Sequence, residues 1–245
     1  YFEENGVAYV LPDNPRMTHE VVLQGDTQGA THGQFVEVKI VSQPNHRSLA
    51  VAELTAILGD HLAPGLEIDI ALRNFDIPHL WPNEVSEQAA NISPQVTEAD
   101  KVGRVDLRNL ALVTIDGEDA KDFDDAVYAE KRAGGGYRLV VAIADVSHYV
   151  RPDSPLDIEA KHRSTSVYFP GFVVPMLPEV LSNGLCSLKP NVDRLCMVCD
   201  MTISRAGRVT GSQFYEAVMH SQARLTYTKV SALLEEPESE LGQQV

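Results

Sequence analysis

From Thr114 the chain reads Thr114-Ile-Asp-Gly-Glu-Asp-Ala-Lys-Asp-Phe-Asp-Asp125, which places six carboxylates in ten positions with Lys121 as the sole cation among them. Like charges packed this densely destabilise a fold unless water or a cation neutralises them. The run leaves one apolar segment, 110–115, and enters another, 126–129, with Phe123 in its middle. A solvated surface loop is the ordinary reading of a charge run, but this one is pinned between core elements where carboxylates lose water. All-oxygen donors select hard ions such as Mg²⁺, Mn²⁺ or Ca²⁺ over zinc. A calcium EF-hand needs Gly at its sixth position and Glu at its twelfth. Counting from Asp116, those positions hold Lys121 and Val127, so that reading fails. Aspartates that leave coordination positions open suit metal-assisted phosphodiester hydrolysis, in which one ion acidifies a water and a second, about 4 Å away, steadies the leaving oxygen.

The frame around this loop reads as two kinds of structure. With 245 residues, 44% of them hydrophobic and 22% charged, the chain has the length and composition of a folded protein with one large domain or two ordinary ones. Its longest uncharged apolar stretch, 139–144, falls far short of the roughly 20 residues a membrane helix needs. Short strands are expected at 7–10, 20–23, 35–41 and 49–54, separated by turn residues at 12–15, 28–29 and 44–45, as in a small barrel of the oligonucleotide-binding type. The barrel's first strand is expected to be missing from the chain. Phe2, Tyr9 and Phe35 can serve as base-stacking platforms or as core residues. Residues 60–110 carry two helical segments, 66–75 and 83–90, and read as a helical connector. Beyond it an α+β pattern follows: strands at 110–115, 126–129, 137–146, 197–203 and 209–215, turns at Gly134-Gly-Gly136 and Ser204-Arg-Ala-Gly207, and helices at 155–163, capped by Ser154, and 226–236.

Net charge is −15, which as a whole opposes nucleic-acid binding, since that affinity comes from Lys and Arg. Its distribution argues otherwise. Residues 1–131 hold 9 basic and 23 acidic side chains, whereas 132–230 hold 11 and 8. Three cysteines are too few and odd in number for a disulfide framework and suit a reducing compartment, hence the cytoplasm. Cys196 and Cys199 form a C-x-x-C without the second pair or histidines that zinc requires, and read as core cysteines facing opposite sides of a strand. His148 reads as structural, and Arg151, Lys189 and Arg194 read as surface charges, although a strand of RNA entering the acidic site could meet them. Tyr168, in Val167-Tyr-Phe-Pro170, reads by itself as a core aromatic.

Taken in order, Asp116-Gly-Glu-Asp-Ala-Lys-Asp-Phe-Asp-Asp125, Ala142-Ile-Ala-Asp-Val-Ser-His-Tyr-Val150, Ser166-Val-Tyr-Phe-Pro170, Pro175-Met-Leu-Pro178 and Leu185-Cys-Ser-Leu188 resemble the opening half of the catalytic domain of the RNase II family. Residues 2–13 are similar to the start of that family's second cold-shock domain. The fold this implies is β plus α+β: a cold-shock, oligonucleotide-binding barrel over 1–59, the helical connector over 60–110, and the N-terminal part of an α+β ribonuclease (RNB) domain over 111–245. The activity it implies is a processive, hydrolytic 3′-to-5′ exoribonuclease that releases nucleoside 5′-monophosphates and works as a monomer on the 3′ end of single-stranded RNA. By the same resemblance Asp116, Asp122 and Asp125 hold Mg²⁺, with Mn²⁺ as substitute, Asp124 is needed for cleavage but not for binding, and Tyr168 stacks on a base near the 3′ end. The chain opens on Tyr1 rather than Met, the mark of an excised piece, and the family's first cold-shock domain, its second aromatic clamp, an arginine near the scissile phosphate and a basic C-terminal domain are missing. The rival reading is therefore a catalytically silent module that only docks RNA or a partner.

Overall fold

A computed structural model describes residues 1–60 and 63–235, which fall into two compact units, Tyr1–His79 and the chain from Leu80 onward. The first is built from β1 (Phe2–Glu4), β2 (Val7–Val10), β3 (Val21–Gln24), β4 (Phe35–Ser42) and β5 (Ala50–Gly59), followed by α1 (Leu66–Asn74). Its first strand is thus present at Phe2–Glu4. Asn5 and Gly6 both take positive φ, 52° and 77°, which is the backbone a two-residue hairpin turn demands, and they close β1 onto β2. The strand order is β1-β2-β3-β5-β4, with β3 and β5 parallel. Along β5, Ala50, Ala52 and Leu54 alternate inward against Val10, Val21 and Leu23, and Val36, Val38 and Ile40 of β4 close over them. The two outer strands meet at one corner, where the Tyr1 amine donates to the Gln34 carbonyl at 2.8 Å and the Gly33 N–H to the Tyr1 carbonyl at 2.9 Å. That corner curls the sheet into a barrel. Phe2 and Tyr9 are half-buried and stack on each other at 5.4 Å.

The second unit holds a seven-stranded sheet of β6 (Val105–Asp106), β7 (Val113–Asp116), β8 (Asp125–Lys131), β9 (Tyr137–Ala144), β12 (Arg194–Ile203), β13 (Val209–Met219) and β14 (Ala223–Thr226), in the order β14-β7-β8-β9-β12-β13-β6. A separate hairpin, β10 (Val167–Phe169) with β11 (Phe172–Val174), stands beside it. Both expected turns join neighbouring antiparallel strands, and at Gly136 a Cβ would lie 2.2 Å from the Ile203 carbonyl, so the β8–β9 and β12–β13 hairpins can sit together only with glycine there. One face of the sheet packs Val140, Ala142, Cys196, Val198 and Ala217 against Leu156, Leu181 and Leu185. These come from α4 (Pro155–Arg163) and a π-helical turn at Val180–Leu185; a short α3 (Val146–Tyr149) precedes α4, and α2 (Asn83–Ala90) packs on it. Ser154 caps α4 by accepting from the Asp157 N–H, and Pro155 occupies its first turn, where it costs no hydrogen bond.

The 60–110 segment, expected as a connector, has its two helices in different units: α1 packs on β5 and α2 on α4. The helix expected at 226–236 is α5 (Tyr227–Glu235), with residue 236 outside the described residues. Arg194 corrects the surface reading, because it is buried and donates to the carbonyls of Ser187 (2.7 Å) and Asp193 (2.9 Å). His148 is structural as expected. Its ring meets Asp100 at 3.0 Å and Arg104 at 3.3 Å, and Arg104 in turn is ion-paired with the buried Asp145. The three cysteines are free; Cys186 and Cys196 are buried, and burial pushes both thiols up to about 12. No described helix is long and apolar enough to cross a membrane.

Candidate functional site

Phe123 decides the shape of the acidic loop. Its ring is buried in the core, while its neighbours are open to solvent, Asp122 half-buried and Asp124 exposed. Its backbone is held on both sides: the Phe123 N–H donates to the Ser187 hydroxyl oxygen (3.1 Å), that hydroxyl donates to the Lys121 carbonyl (2.8 Å), and the Leu188 N–H donates to the Phe123 carbonyl (2.8 Å). One residue further, the Ala144 N–H donates to the Asp124 carbonyl at 2.9 Å. The loop is therefore fixed to the sheet by Ala144 and to the core by the same Leu185-Cys-Ser-Leu188 stretch that the sequence singled out.

Asp116 ends β7 and Asp125 opens β8, so the two strands deliver the carboxylates from opposite sides of the loop. Burial raises the Asp116 carboxyl, and the negative Asp125 and Asp122 push it further against a smaller downward pull from Arg224. Its Oδ2 is buried without a hydrogen-bond partner. Asp124 is open to solvent at its edge, yet the protein around it withholds enough water to raise its carboxyl, and Asp122, Asp116 and Asp125 add to the effect. Glu118 and Asp119 lie exposed at the crest. Tyr168 reaches the same place from the β10–β11 hairpin: its hydroxyl donates to Asp122 Oδ2, and this contact, ahead of partial burial, pushes the phenol up to about 12. With 62% of its surface exposed, the residue is no core aromatic.

Asp116, Asp122, Asp124, Asp125 and Tyr168 are thus brought to one place. Among the described residues, however, no three acidic, imidazole or thiol groups converge into a ready metal cage. The fit to a hard divalent cation lies in donor type and in unsatisfied charge, shown by the orphaned Asp116 Oδ2 and by the mutual repulsion of the carboxylates, both of which a cation would relieve.

Sequence reasoning missed Arg224. From β14, which pairs in parallel with β7, its Nη2 donates to the carbonyls of Gly117 (3.3 Å), Glu118 and Ala120 (3.4 Å), and its guanidinium lies 5.3 Å from the Phe123 ring centre. It holds the crest of the loop and sets a positive charge beneath it. No local pattern marks this arginine, because its role appears only once β14 is laid against β7.

The RNB domain family matches residues 104–244 and the cold shock domain family residues 9–82. Ribonuclease R of Escherichia coli (strain K12) is 58% identical over 236 residues, covering 96% of this chain and 29% of that protein. The solved structure of Mycoplasma genitalium RNase R in complex with double-stranded RNA matches with a TM-score of 0.85 and 35% identity, over 93% of this chain and 40% of that one. Yeast Ssd1, a pseudonuclease, shares the fold at a TM-score of 0.70 and 19% identity, over 97% of this chain and 31% of its own. The chain spans about three-tenths of the length of the first curated relatives it matches. The fold is thus a cold-shock barrel followed by an RNB region, and within the RNase II family the motifs point to the ribonuclease R branch, as the ribonuclease R relatives do.

Proposed function

The chain belongs to the RNB domain family, and from that membership we propose that its acidic loop is the hydrolytic centre of a processive 3′-to-5′ exoribonuclease releasing nucleoside 5′-monophosphates. The observation that carries the reading is the convergence of Tyr168 with the aspartates. An exposed aromatic from a separate hairpin donates to Asp122, so a stacking surface stands beside clustered carboxylates that repel one another. In this reading Asp116, Asp122 and Asp125 hold Mg²⁺, or Mn²⁺ in its place, which when bound neutralises phosphate charge and acidifies a water. Asp124, with its main chain fixed by Ala144, orients the attacking water. The Tyr168 ring stacks on a base near the 3′ end and keeps the last nucleotides in reach. Arg224 keeps the loop in register. The three free thiols suit the cytoplasm.

The test uses 3′-labelled and 5′-labelled single-stranded RNA with the intact protein and its Asp124→Asn variant, in Mg²⁺ and in EDTA. Mononucleotides should appear from the 3′ end in Mg²⁺ only, and Asp124→Asn should lose hydrolysis while keeping RNA affinity within a few-fold. Equal loss of binding and cleavage would make Asp124 a substrate-positioning group. RNA bound but cleaved by neither form would favour the silent docking module.

A further inference from the structure

At the end of the sheet away from the acidic loop, two hairpin tips stand side by side. β8 turns into β9 through 132–136 and β12 into β13 through 204–208, and β9 and β12 are neighbours with Tyr137 opposite Ile203. The acidic loop enters β8 at Asp125 and the tip follows Lys131, so at about 3.3 Å per residue roughly 20 Å of strand separates them. The tips carry Lys131, Arg132, Arg205 and Arg208, all exposed, and among the described residues none of the four makes an ion pair. The acids nearest to them in the strands, Glu130 and Asp200, are engaged by Arg138. In a chain of net charge −15, four uncompensated cations at one edge are a concentrated exception.

The two tips also touch. Gly135 has φ of 87°, the left-handed backbone that favours glycine, and the exposed Arg205 of one hairpin lies across the backbone of the other there, its Nε 1.9 Å from where a Cβ on Gly135 would stand. A concavity of about 550 Å³ opens at this tip, lined by Lys131, Arg132, Ala133, Gly134 and Gly135 and, at its strand end, by Glu130, whose carboxylate is taken up by Arg138. Between the cations stand Ala133, Gly134, Ala206 and Gly207, too small to anchor a protein interface, which draws its energy from buried aromatic and large side chains. A phosphate backbone needs only the charge.

We propose that these twin tips form a second, sequence-independent contact for the RNA phosphate backbone, outside the acidic cleft. The inference rests on the ribonuclease reading for the identity of the polyanion. Exposed Lys and Arg that meet phosphates position a strand without reading its sequence.

The test compares the intact protein with K131Q/R132Q, R205Q/R208Q and the combination of all four, measuring affinity for poly(A) and for a tetranucleotide over a range of salt in EDTA, and hydrolysis of both in Mg²⁺. The salt slope for poly(A) should flatten by about 0.7 for each phosphate that is no longer neutralised, and affinity at moderate salt should fall roughly tenfold in the combined variant. Tetranucleotide binding and hydrolysis should be unchanged, and R132K/R205K/R208K should keep the wild-type slope. A wild-type slope in the combined variant overturns the proposal and leaves the tips to an acidic protein partner; equal losses for both RNAs overturn it by placing the tips in the cleft or the fold. Wild-type protein that binds poly(A) yet cleaves neither RNA would sink the ribonuclease reading while the slope still decides the surface.

Discussion

Tyr168 separates two energies that are usually confounded. Its hydroxyl is tied to Asp122 while its ring is open to solvent. Base stacking on such a ring is worth roughly 1–3 kcal/mol, enough to matter for the last few nucleotides and little for a long strand held at many phosphates. A buried ring would instead cost about 3–5 kcal/mol of stability on removal. Tyr168→Ala should therefore still degrade long RNA, stop at a longer limit product, and melt within a few degrees of wild type, whereas Tyr168→Phe should keep the wild-type product ladder. An unchanged ladder with a collapsed melting temperature for Tyr168→Ala would return the residue to packing. At this scale the aspartates were legible, because their spacing and flanking apolar runs are local. The bond from Tyr168 to a carboxylate 46 positions earlier, and the grip of Arg224 on three loop carbonyls, depend on pairings that no window of sequence contains.

Among the elements, strands with their own turn chemistry were readable and strands made by their partners were not. β12 and β13 are long, carry apolar runs and are joined by Ser204-Arg-Ala-Gly207, and α4 carries both a cap and a first-turn proline. β6, β10, β11 and β14 are two to four residues long and owe their extended form to a neighbour. Asn5-Gly6 did carry the signal for β1, which lies at the very start of the chain. One cross-strand pair can be measured directly. Arg138 on β9 reaches Asp200 on β12 through Nε at 3.0 Å and Nη2 at 2.6 Å, and this guanidinium holds the Asp200 carboxyl below its usual value. A depressed carboxyl contributes stability that is present above its unfolded pKa and is lost as pH falls through the folded one. Asp200→Asn should thus cost about 0.5–1 kcal/mol at pH 7 by urea titration, discounted for the partial exposure of Arg138. The difference should shrink as pH falls below the unfolded value of about 4 and be lost as pH passes through the lowered folded value, where the wild-type carboxylate is itself protonated. A gap that persists undiminished in acid would assign the loss to packing.

For the whole molecule, acidity is concentrated in the first 131 residues and in the loop that closes them, so the fold carries repulsion that a cation can remove. Millimolar Mg²⁺ should raise the melting temperature of the wild type by preferential binding to the native state, and should raise it less in Asp116→Asn, which loses the orphaned oxygen. Zinc should not reproduce the shift. A melting temperature indifferent to Mg²⁺ in both proteins would leave the aspartates as a solvated loop. The same loop is bound to the core by Phe123, and its motion is restricted accordingly. Residues that do chemistry often lie on segments that open locally at small free-energy cost, but the amides of Phe123, Ala144 and Leu188 are hydrogen-bonded within the knot that joins the loop to the sheet. Their hydrogen exchange should be among the slowest in the second unit, moving with global unfolding, and Phe123→Ala should bring all three into the fast class together. A chain so built cannot loosen its carboxylates without melting the sheet beneath them, so the loop and the sheet persist or fail as one cooperative unit.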